Sequence, residues 1–480
     1  MPNPDRRLPT GSADLDRILG GGIPRGSTIV IAGPPGSGKT LLAQQVAFVN
    51  ATDAAPALYY TSWSEPHTKL IRNLSAFDFF DEQAIGKRID FLHLPALIDS
   101  ATENGFEEVA RELFRASVQR QPVMVVIDSS KSLHGMVPED RLRRFFYELA
   151  SRVGQTNAAL VMVGEYTPVE IESEPEFAVA DGIIQLANEP RGVTDRRSLR
   201  VVKMRGSDNL SGSHAFNIDR RGIQAYPRAE TLVPLQVEHQ TGRAGLGDAG
   251  LDQLTGGGLP RGDATLLFGP AGIGKTILSL GFVAEGLKEG DQGLYVSLQE
   301  TPAELISKAS AMGWDWVPAA LKQGQLDFLS IRPVDLDLDQ VGVALRDVLV
   351  AKRPKRVVVD SIAELDVGGR APDRYLSYLW AIVNLVRGHG ATGLFTQETV
   401  TFGAPTSMQL MSYLFQNVLT MRFVEHQYHV LRAIGTLKMR ESRHETDLLE
   451  FDIGPGGLTS GQKLTNVSGV LGWTALRKEE

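Results

Sequence analysis

Two segments of the chain hold residue types suited to binding a polyphosphate. Gly33-Pro34-Pro35-Gly36-Ser37-Gly38-Lys39-Thr40 and Gly269-Pro270-Ala271-Gly272-Ile273-Gly274-Lys275-Thr276 both fit G-x-x-x-x-G-K-[ST]. Glycines let backbone N–H groups turn inward on phosphate oxygens, the lysine brings a point charge to the β/γ oxygens, and the threonine hydroxyl can ligate Mg²⁺. The helix opened by such a loop adds its positive end to the same anion. The candidate contacts are Gly36, Ser37, Gly38, Lys39, Thr40 and Leu41 in one copy. In the other they are Gly272, Ile273, Gly274, Lys275, Thr276 and Ile277. The ligand they fit is ATP with Mg²⁺.

A nucleotide-bound cation needs a second holder, a carboxylate at the end of a neighbouring strand. Val125-Val126-Ile127-Asp128 and Val357-Val358-Val359-Asp360 supply one each, some ~90 residues beyond the loops, where a Walker B residue is expected. An Asp ending a strand is also a common turn former or helix cap, so recurrence in both copies carries the reading. Thr40 with Asp128 and Thr276 with Asp360 are thus the two expected metal sets. Hydrolysis asks for a further carboxylate to activate water. Glu65 and Glu300 each follow an apolar run and precede a proline-initiated helical stretch. Glu300 has a second reading, because Thr301-Pro302-Ala303-Glu304 spells an N-cap, an N1 proline and a capping-box glutamate.

Positioning these residues requires a strand before each loop and a helix after it, and the sequence repeats that arrangement. Gly11 to Thr40 aligns with Gly247 to Thr276 without a gap, an offset of 236 residues (275 − 39). Leu15-Asp16, Gly20 to Gly22 and Pro24-Arg25-Gly26 return as Leu251-Asp252, Gly256 to Gly258 and Pro260-Arg261-Gly262. Lys203-Met204-Arg205 returns as Lys438-Met439-Arg440. A period this long is duplication of a whole domain, not a solenoid repeat. The boundary falls near 225–243, giving domains 1–235 and 236–480.

Strands are expected at 28–33, 57–63, 123–128, 158–164, 182–187 and 199–204, and at 264–269, 293–298, 356–360, 392–396, 418–424 and 430–437. Runs such as Val123 to Ile127 suit central strands buried on both faces. Alternation with helical stretches makes the fold class α/β, with a mainly parallel twisted sheet flanked by helices in each domain. The closely spaced later strands suit an antiparallel edge.

Composition narrows the function. The 480 residues include no cysteine, which excludes disulfides, thiolate metal sites and thiol catalysis. Nine histidines are scattered, and the closest pair, His426 and His429, has no carboxylate cluster near it in sequence, so surface or packing roles are expected. Net charge is −8, split evenly: 26 Lys+Arg against 30 Asp+Glu over 1–240, and 23 against 27 over 241–480. A dedicated nucleic-acid binder more often carries a basic domain or tail, so no nucleic-acid partner is expected. No apolar run approaches the ~20 residues needed to span a bilayer, and the first residues lack the apolar stretch of a secretory signal. Cytoplasmic residence without a membrane partner is the expectation.

The order of these motifs resembles the KaiC family of RecA-like P-loop ATPases over nearly the whole chain. The resemblance rests on L-D-x-x-x-G-G-G-[IL]-P-R-G before each loop, on the strand ending in Glu, on Met312-Gly313-Trp314-Asp315, and on the repeated Lys-Met-Arg. It implies two tandem RecA-like domains and a homo-oligomeric double ring, a hexamer, with ATP at subunit boundaries. It also implies that Lys203, Arg205, Lys438 and Arg440 reach the γ-phosphate of a neighbouring subunit. Lys and Arg two apart on a strand point to one side, so both can face one anion.

The family's paired glutamates are here Ser64-Glu65 and Gln299-Glu300, and Gly206 becomes Glu441 in the second half. The autophosphorylated Ser-Thr pair of the clock members falls on Ser412-Tyr413, leaving Ser412 as the candidate phosphosite. The resemblance thus implies an ATPase, with serine autokinase activity as a further expectation, acting as a nucleotide-state-dependent signalling or timing scaffold with regulatory protein partners. Two other readings stand beside it: a RecA-class DNA-handling ATPase, for which Arg141, Arg143, Arg144, Arg370 and Arg374 are the available cations, and a hydrolysis-deficient structural nucleotide-binding ring.

Overall fold

A computed structural model of the chain describes residues 7–61, 67–94, 106–135, 139–191, 194–236, 240–331, 337–365, 372–398, 413–426, 429–440, 444–464, 467–468 and 476–477. It divides into two compact units, Met1–Arg228 and Ala229–Glu480. Glu65, Arg370, Glu441 and Ser412, with its neighbours 399–411, lie outside the described residues.

The main sheet of the first unit is built from β1 (Thr28–Ala32), β2 (Ala57–Thr61), β3 (Ile89–His93), β4 (Met124–Asp128), β5 (Ala159–Gly164), β6 (Gly182–Arg191), β7 (Thr194–Met204), β8 (Ser213–Asp219) and β9 (Gly222–Tyr226). Their order across the sheet is β9-β8-β7-β6-β1-β5-β4-β2-β3. Pairings from β3 to β6 are parallel, and the β6-β7-β8-β9 side is antiparallel. The expected antiparallel edge is therefore present, and it extends two strands beyond those expected.

The second unit repeats the plan with β10 (Ala264–Gly269), β11 (Gly293–Ser297), β12 (Leu326–Ser330), β13 (Arg356–Asp360), β14 (Thr392–Glu398), β15 (Asn417–His426), β16 (His429–Met439), β17 (Leu448–Gly454) and β18 (Gly457–Leu464). Their order is β12-β11-β13-β14-β10-β15-β16-β17-β18, the same topology strand for strand. Two central strands thus flank each loop-bearing strand: β5 and β6 beside β1, β14 and β15 beside β10.

β-Branched and apolar residues form these strands because both faces are covered. On β1, Ile29 and Ile31 pack in one layer with Leu42 and Val46 of helix Lys39–Asn50. Val30 and Ala32 pack in the opposite layer with Leu113, Leu142 and Leu149 of helices Phe106–Arg120 and Glu139–Gly154. Alternate residues of a strand point to opposite faces, so one five-residue strand serves both cores. Burying each such side chain contributes about 1.5–3 kcal/mol, and the result is a rigid sheet from whose ends the loops project. No helix among the described residues is long and apolar enough to cross a membrane.

Candidate functional site

Each glycine-rich loop leaves the end of its strand, turns once, and runs directly into a helix. Helix Lys39–Asn50 begins at Gly38 and helix Lys275–Lys288 begins at Gly274. Both N-cap glycines are left-handed, with φ of 97° and 117°. A side chain at Gly38 or Gly274 would be strained there, which explains the residue type. Neither N-cap offers a side-chain hydrogen bond, and neither first turn contains an acid. The first-turn N–H groups are therefore left for an external acceptor, and the helix dipole favours an anion. Helix Pro302–Ala311 of the same chain differs: Thr301 and Glu304 form a full capping box. Gly33 is needed for a different reason, since a Cβ there would stand 2.3 Å from the Leu186 carbonyl oxygen.

The lysines curl back over their loops. Lys39 Nζ donates to Pro34 O at 2.7 Å, and Lys275 Nζ donates to Gly269 O and Pro270 O at 2.9 Å each. Both are almost fully buried. Burial lowers both ammonium pKa values, opposed by Glu165 and Asp128 around Lys39 and by Glu398 and Asp360 around Lys275. A cation held on carbonyl oxygens, without a direct carboxylate bond, suits exchange of those carbonyls for phosphate. Ser37 Oγ is buried beside it with no hydrogen-bond partner among the described residues.

The strand-end aspartates stand beside the threonines. Thr276 Oγ1 donates to Asp360 Oδ2 at 2.9 Å, and Tyr295 Oη donates to the same oxygen at 2.6 Å. Thr396 Oγ1 donates to Asp360 Oδ1. In the first unit Tyr59 Oη donates to Asp128 Oδ2 at 2.8 Å, and Thr40 is also hydrogen-bonded to Asp128. Burial pushes the Asp128 carboxyl up, against the lowering effects of Tyr59, Thr40 and Lys39. Hydroxyl and carboxylate oxygens gathered against a phosphate loop are the hard donor set that Mg²⁺ takes with nucleotide.

Among the expected carboxylates, Glu300 is the one described. Its backbone N–H bonds Ser297 Oγ at 2.9 Å, its Oε1 pairs with Lys308, and its Oε2 is buried without a hydrogen-bond partner. Gln299 donates to Glu364. The sheet brings in two glutamates that sequence reasoning missed. Glu398 ends β14 level with Gly269. Glu165 follows β5, whose Gly164 is level with Ala32. Both act electrostatically on the loop lysines. The only sequence signal for them is an acid closing an apolar run, Val161-Met162-Val163-Gly164-Glu165 and Leu394-Phe395-Thr396-Gln397-Glu398.

The repeated cations lie elsewhere. Arg205 N donates to Asp181 O at 2.8 Å and Asp181 N to Thr28 O at 2.7 Å, so Arg205 sits at the start of β1, opposite the loop end. Lys203 Nζ donates to Ala180 O at 2.5 Å, and Arg205 faces Asp181 Oδ1 at 3.4 Å. In the second unit Arg440 N donates to Gln416 O and Gln416 N to Ala264 O, again at the strand start, and Lys438 Nζ donates to Phe415 O at 2.8 Å. Burial, with the neighbouring arginine, lowers the pKa of both lysines. Of the arginines considered for DNA, Arg374 is turned onto the fully buried Asp339 at 2.6 Å, and Arg144 pairs along its own helix with Glu148 at 3.1 Å.

The family described as "ATPase: KaiC" matches residues 8–230 and 246–464. The chain is 27% identical over 466 residues to the circadian clock oscillator protein KaiC of Parathermosynechococcus lividus, covering 94% of this chain and 84% of that protein. It is 26% identical over 488 residues to the protein of the same name from Thermostichus vulcanus, covering 98% and 92%. It is 26% identical over 483 residues to the circadian clock protein KaiC3 of Synechocystis sp., covering 98% and 94%. With both glycine-rich units matched from strand to strand, this chain belongs to the KaiC family of ATPases.

Proposed function

We propose that the chain binds ATP at both loops and hydrolyses it at boundaries between subunits of a homo-oligomeric double ring, a hexamer in which each chain gives one unit to each ring. The carrying observation is the separation of loop and cations within each unit. Lys203 and Arg205, like Lys438 and Arg440, stand at the opposite end of the loop-bearing strand from the glycine-rich loop. A cation pair that cannot serve its own loop, placed identically in both units, fits a site completed by a neighbouring copy.

In this reading the N–H groups of 36–41 and 272–277 hold the phosphates, and Lys39 and Lys275 leave their carbonyl acceptors to pair with β/γ oxygens. Thr40 with Asp128, and Thr276 with Asp360, would hold Mg²⁺, which would supply charge neutralisation for the phosphoryl group. The neighbour's Arg205 or Arg440 stabilises the same charge from the other side, with Lys203 or Lys438 beside it. Water is oriented by a strand-end glutamate. Glu65 and Glu300 are one pair, and Glu165 and Glu398 are the pair whose charge falls on the loop lysines. The ring then changes shape with nucleotide state and presents that state to protein partners as a signalling or timing scaffold. Ser412 is its proposed autophosphorylation site.

Calorimetry with a non-hydrolysable ATP analogue tests the assignment. Wild type should show two sites per chain, and Lys39→Ala and Lys275→Ala should each remove one. Two unaltered sites in either variant would overturn it.

A further inference from the structure

A buried carboxylate in the first unit lacks the charge that would balance it. Glu176, in the short helix Pro175–Val179, has a side chain with 0% exposure, and its Oε2 has no hydrogen-bond partner among the described residues. Its Oε1 accepts from Tyr166 and lies 2.8 Å from His134 Nε2. His134 belongs to the turn Ser130–Gly135 that follows Asp128, and its Nδ1 lies 3.7 Å from Glu174 Oε2. One donor atom from each of His134, Glu174 and Glu176 lies within 4.8 Å of the others. His134 and Glu174 are partly open, at 24% and 28% exposure, so the cluster has a buried floor and a solvent-facing rim.

Leaving a carboxylate oxygen unpaired in the interior costs several kcal/mol unless something charged completes it. The imidazole meets Glu176 through one oxygen and leaves the other unmatched. From this geometry we propose that His134, Glu174 and Glu176 form a binding site for a divalent transition-metal ion such as Zn²⁺, distinct from the nucleotide-bound Mg²⁺. One imidazole nitrogen and two carboxylates match the N,O donor set that zinc accepts and that Mg²⁺ takes less readily. Tyr166 supplies the outer hydrogen bond that fixes the buried carboxylate, with Ser130 Oγ 3.0 Å from its hydroxyl. Such outer partners orient metal ligands. The ion would tie the turn leaving β4 to the helical segment following β5.

The test uses the full chain, stripped with chelator and kept nucleotide-free in excess Mg²⁺. Zn²⁺ is titrated by calorimetry, and bound zinc is counted by elemental analysis after desalting. The wild-type chain should retain one zinc. The double variant His134→Asn, Glu174→Gln leaves Glu176 and Tyr166 in place and should bind at least ~10-fold more weakly. Co²⁺ substitution should give a visible-absorption band in the wild type that the variant lacks. Asp128→Asn should retain zinc, which separates the cluster from the proposed Mg²⁺ site. Should the double variant not fold, Glu174→Gln alone, at the rim, makes the same comparison. No retained zinc, equal affinity in wild type and variant (an adventitious ion only), or loss of zinc in Asp128→Asn would each overturn the assignment.

Discussion

The placement of Arg205 and Arg440 yields a sharp prediction about mixed assemblies. From Thr28 to Gly33, β1 advances about 17 Å at ~3.3 Å per residue. The backbone of Arg205 is bonded at the Thr28 end through Asp181, and Arg440 has the same relation to Ala264 and Gly269 through Gln416. No arginine side chain covers that span, so in the proposed ring each would act on a phosphate bound by another copy. A trans arginine contributes about 10³-fold in rate, roughly 4 kcal/mol of barrier.

The Arg205→Ala, Arg440→Ala protein and the Lys39→Ala, Lys275→Ala protein should therefore each release phosphate at about a thousandth of the wild-type rate or less. Mixed in equal amounts before ATP is added, they should form about a quarter of their boundaries from an intact loop and an intact arginine, as head-to-tail interfaces in a ring combine at random. Phosphate release should then rise to roughly a quarter of the wild-type rate, more than ~100-fold above either parent. Sedimentation of the mixture confirms co-assembly. A co-assembled mixture no faster than the mean of its parents would refute trans action, as would wild-type turnover in the arginine variant alone.

Glu165→Gln with Glu398→Gln should lower turnover by ~10²-fold or more with ATP affinity nearly intact, measured by phosphate release and calorimetry. Unchanged turnover there, with loss in Glu65→Gln, Glu300→Gln, would assign water activation to the ends of β2 and β11. Asp128→Asn should raise the unfolding midpoint of nucleotide-free protein at neutral pH. Because burial raises this carboxyl in the fold, its ionised form costs stability above the folded pKa, and the cost vanishes below the unfolded value of 3.8. The advantage of the variant should accordingly shrink as pH falls through that window in a thermal melt. Arg356→Ala should destabilise the second unit by about 3–5 kcal/mol in urea unfolding. The wholly buried guanidinium donates to Gly245 O at 2.6 Å and Phe282 O at 2.8 Å, pairs with Glu289 and Asp291, and stacks on Phe282; a loss under 1 kcal/mol would contradict that role.

The sequence carried the loops, the strand-end aspartates and the duplication because each is written in contiguous residues. The expected strands 28–33 and 264–269 match β1 and β10 to within a residue, since fully apolar runs between glycine turns leave little ambiguity. Strands β3 and β12 escaped notice: Ile89-Asp90-Phe91-Leu92-His93 and Leu326-Asp327-Phe328-Leu329-Ser330 are half-exposed edge strands with polar residues mixed in. The helices begin at the loop lysines, Lys39 and Lys275, so the last residues of each motif are already helical.

Glu165 and Glu398 were hidden for a topological reason. β5 is fourth after β1 in the chain yet adjacent to it in the sheet, and chain order alone does not give that neighbour. Arg374 shows the converse, since a positive charge considered for DNA contact proves to be the partner of buried Asp339 on another helix.

The two sites share a plan but not an electrostatic balance. Asp128 and Asp360 end equivalent strands, yet Asp128 is level with Val163 on β5, whereas Asp360 receives a hydrogen bond from Thr396 on β14. The carboxylate of the second unit is satisfied by three hydroxyls, Thr276, Tyr295 and Thr396; that of the first has Tyr59 and Thr40. A hydrogen bond to a charged group is worth about 1.5–3 kcal/mol, and Val163 cannot make one. Burial raises the Asp128 carboxyl, with Glu165 adding to it, and the two hydroxyls and Lys39 offset this only in part. A cation placed against Asp128 should offset the cost of burying its charge. A single strand residue, valine against threonine, thus leaves the two copies of one site with different hydrogen-bond sets around the strand-end carboxylate.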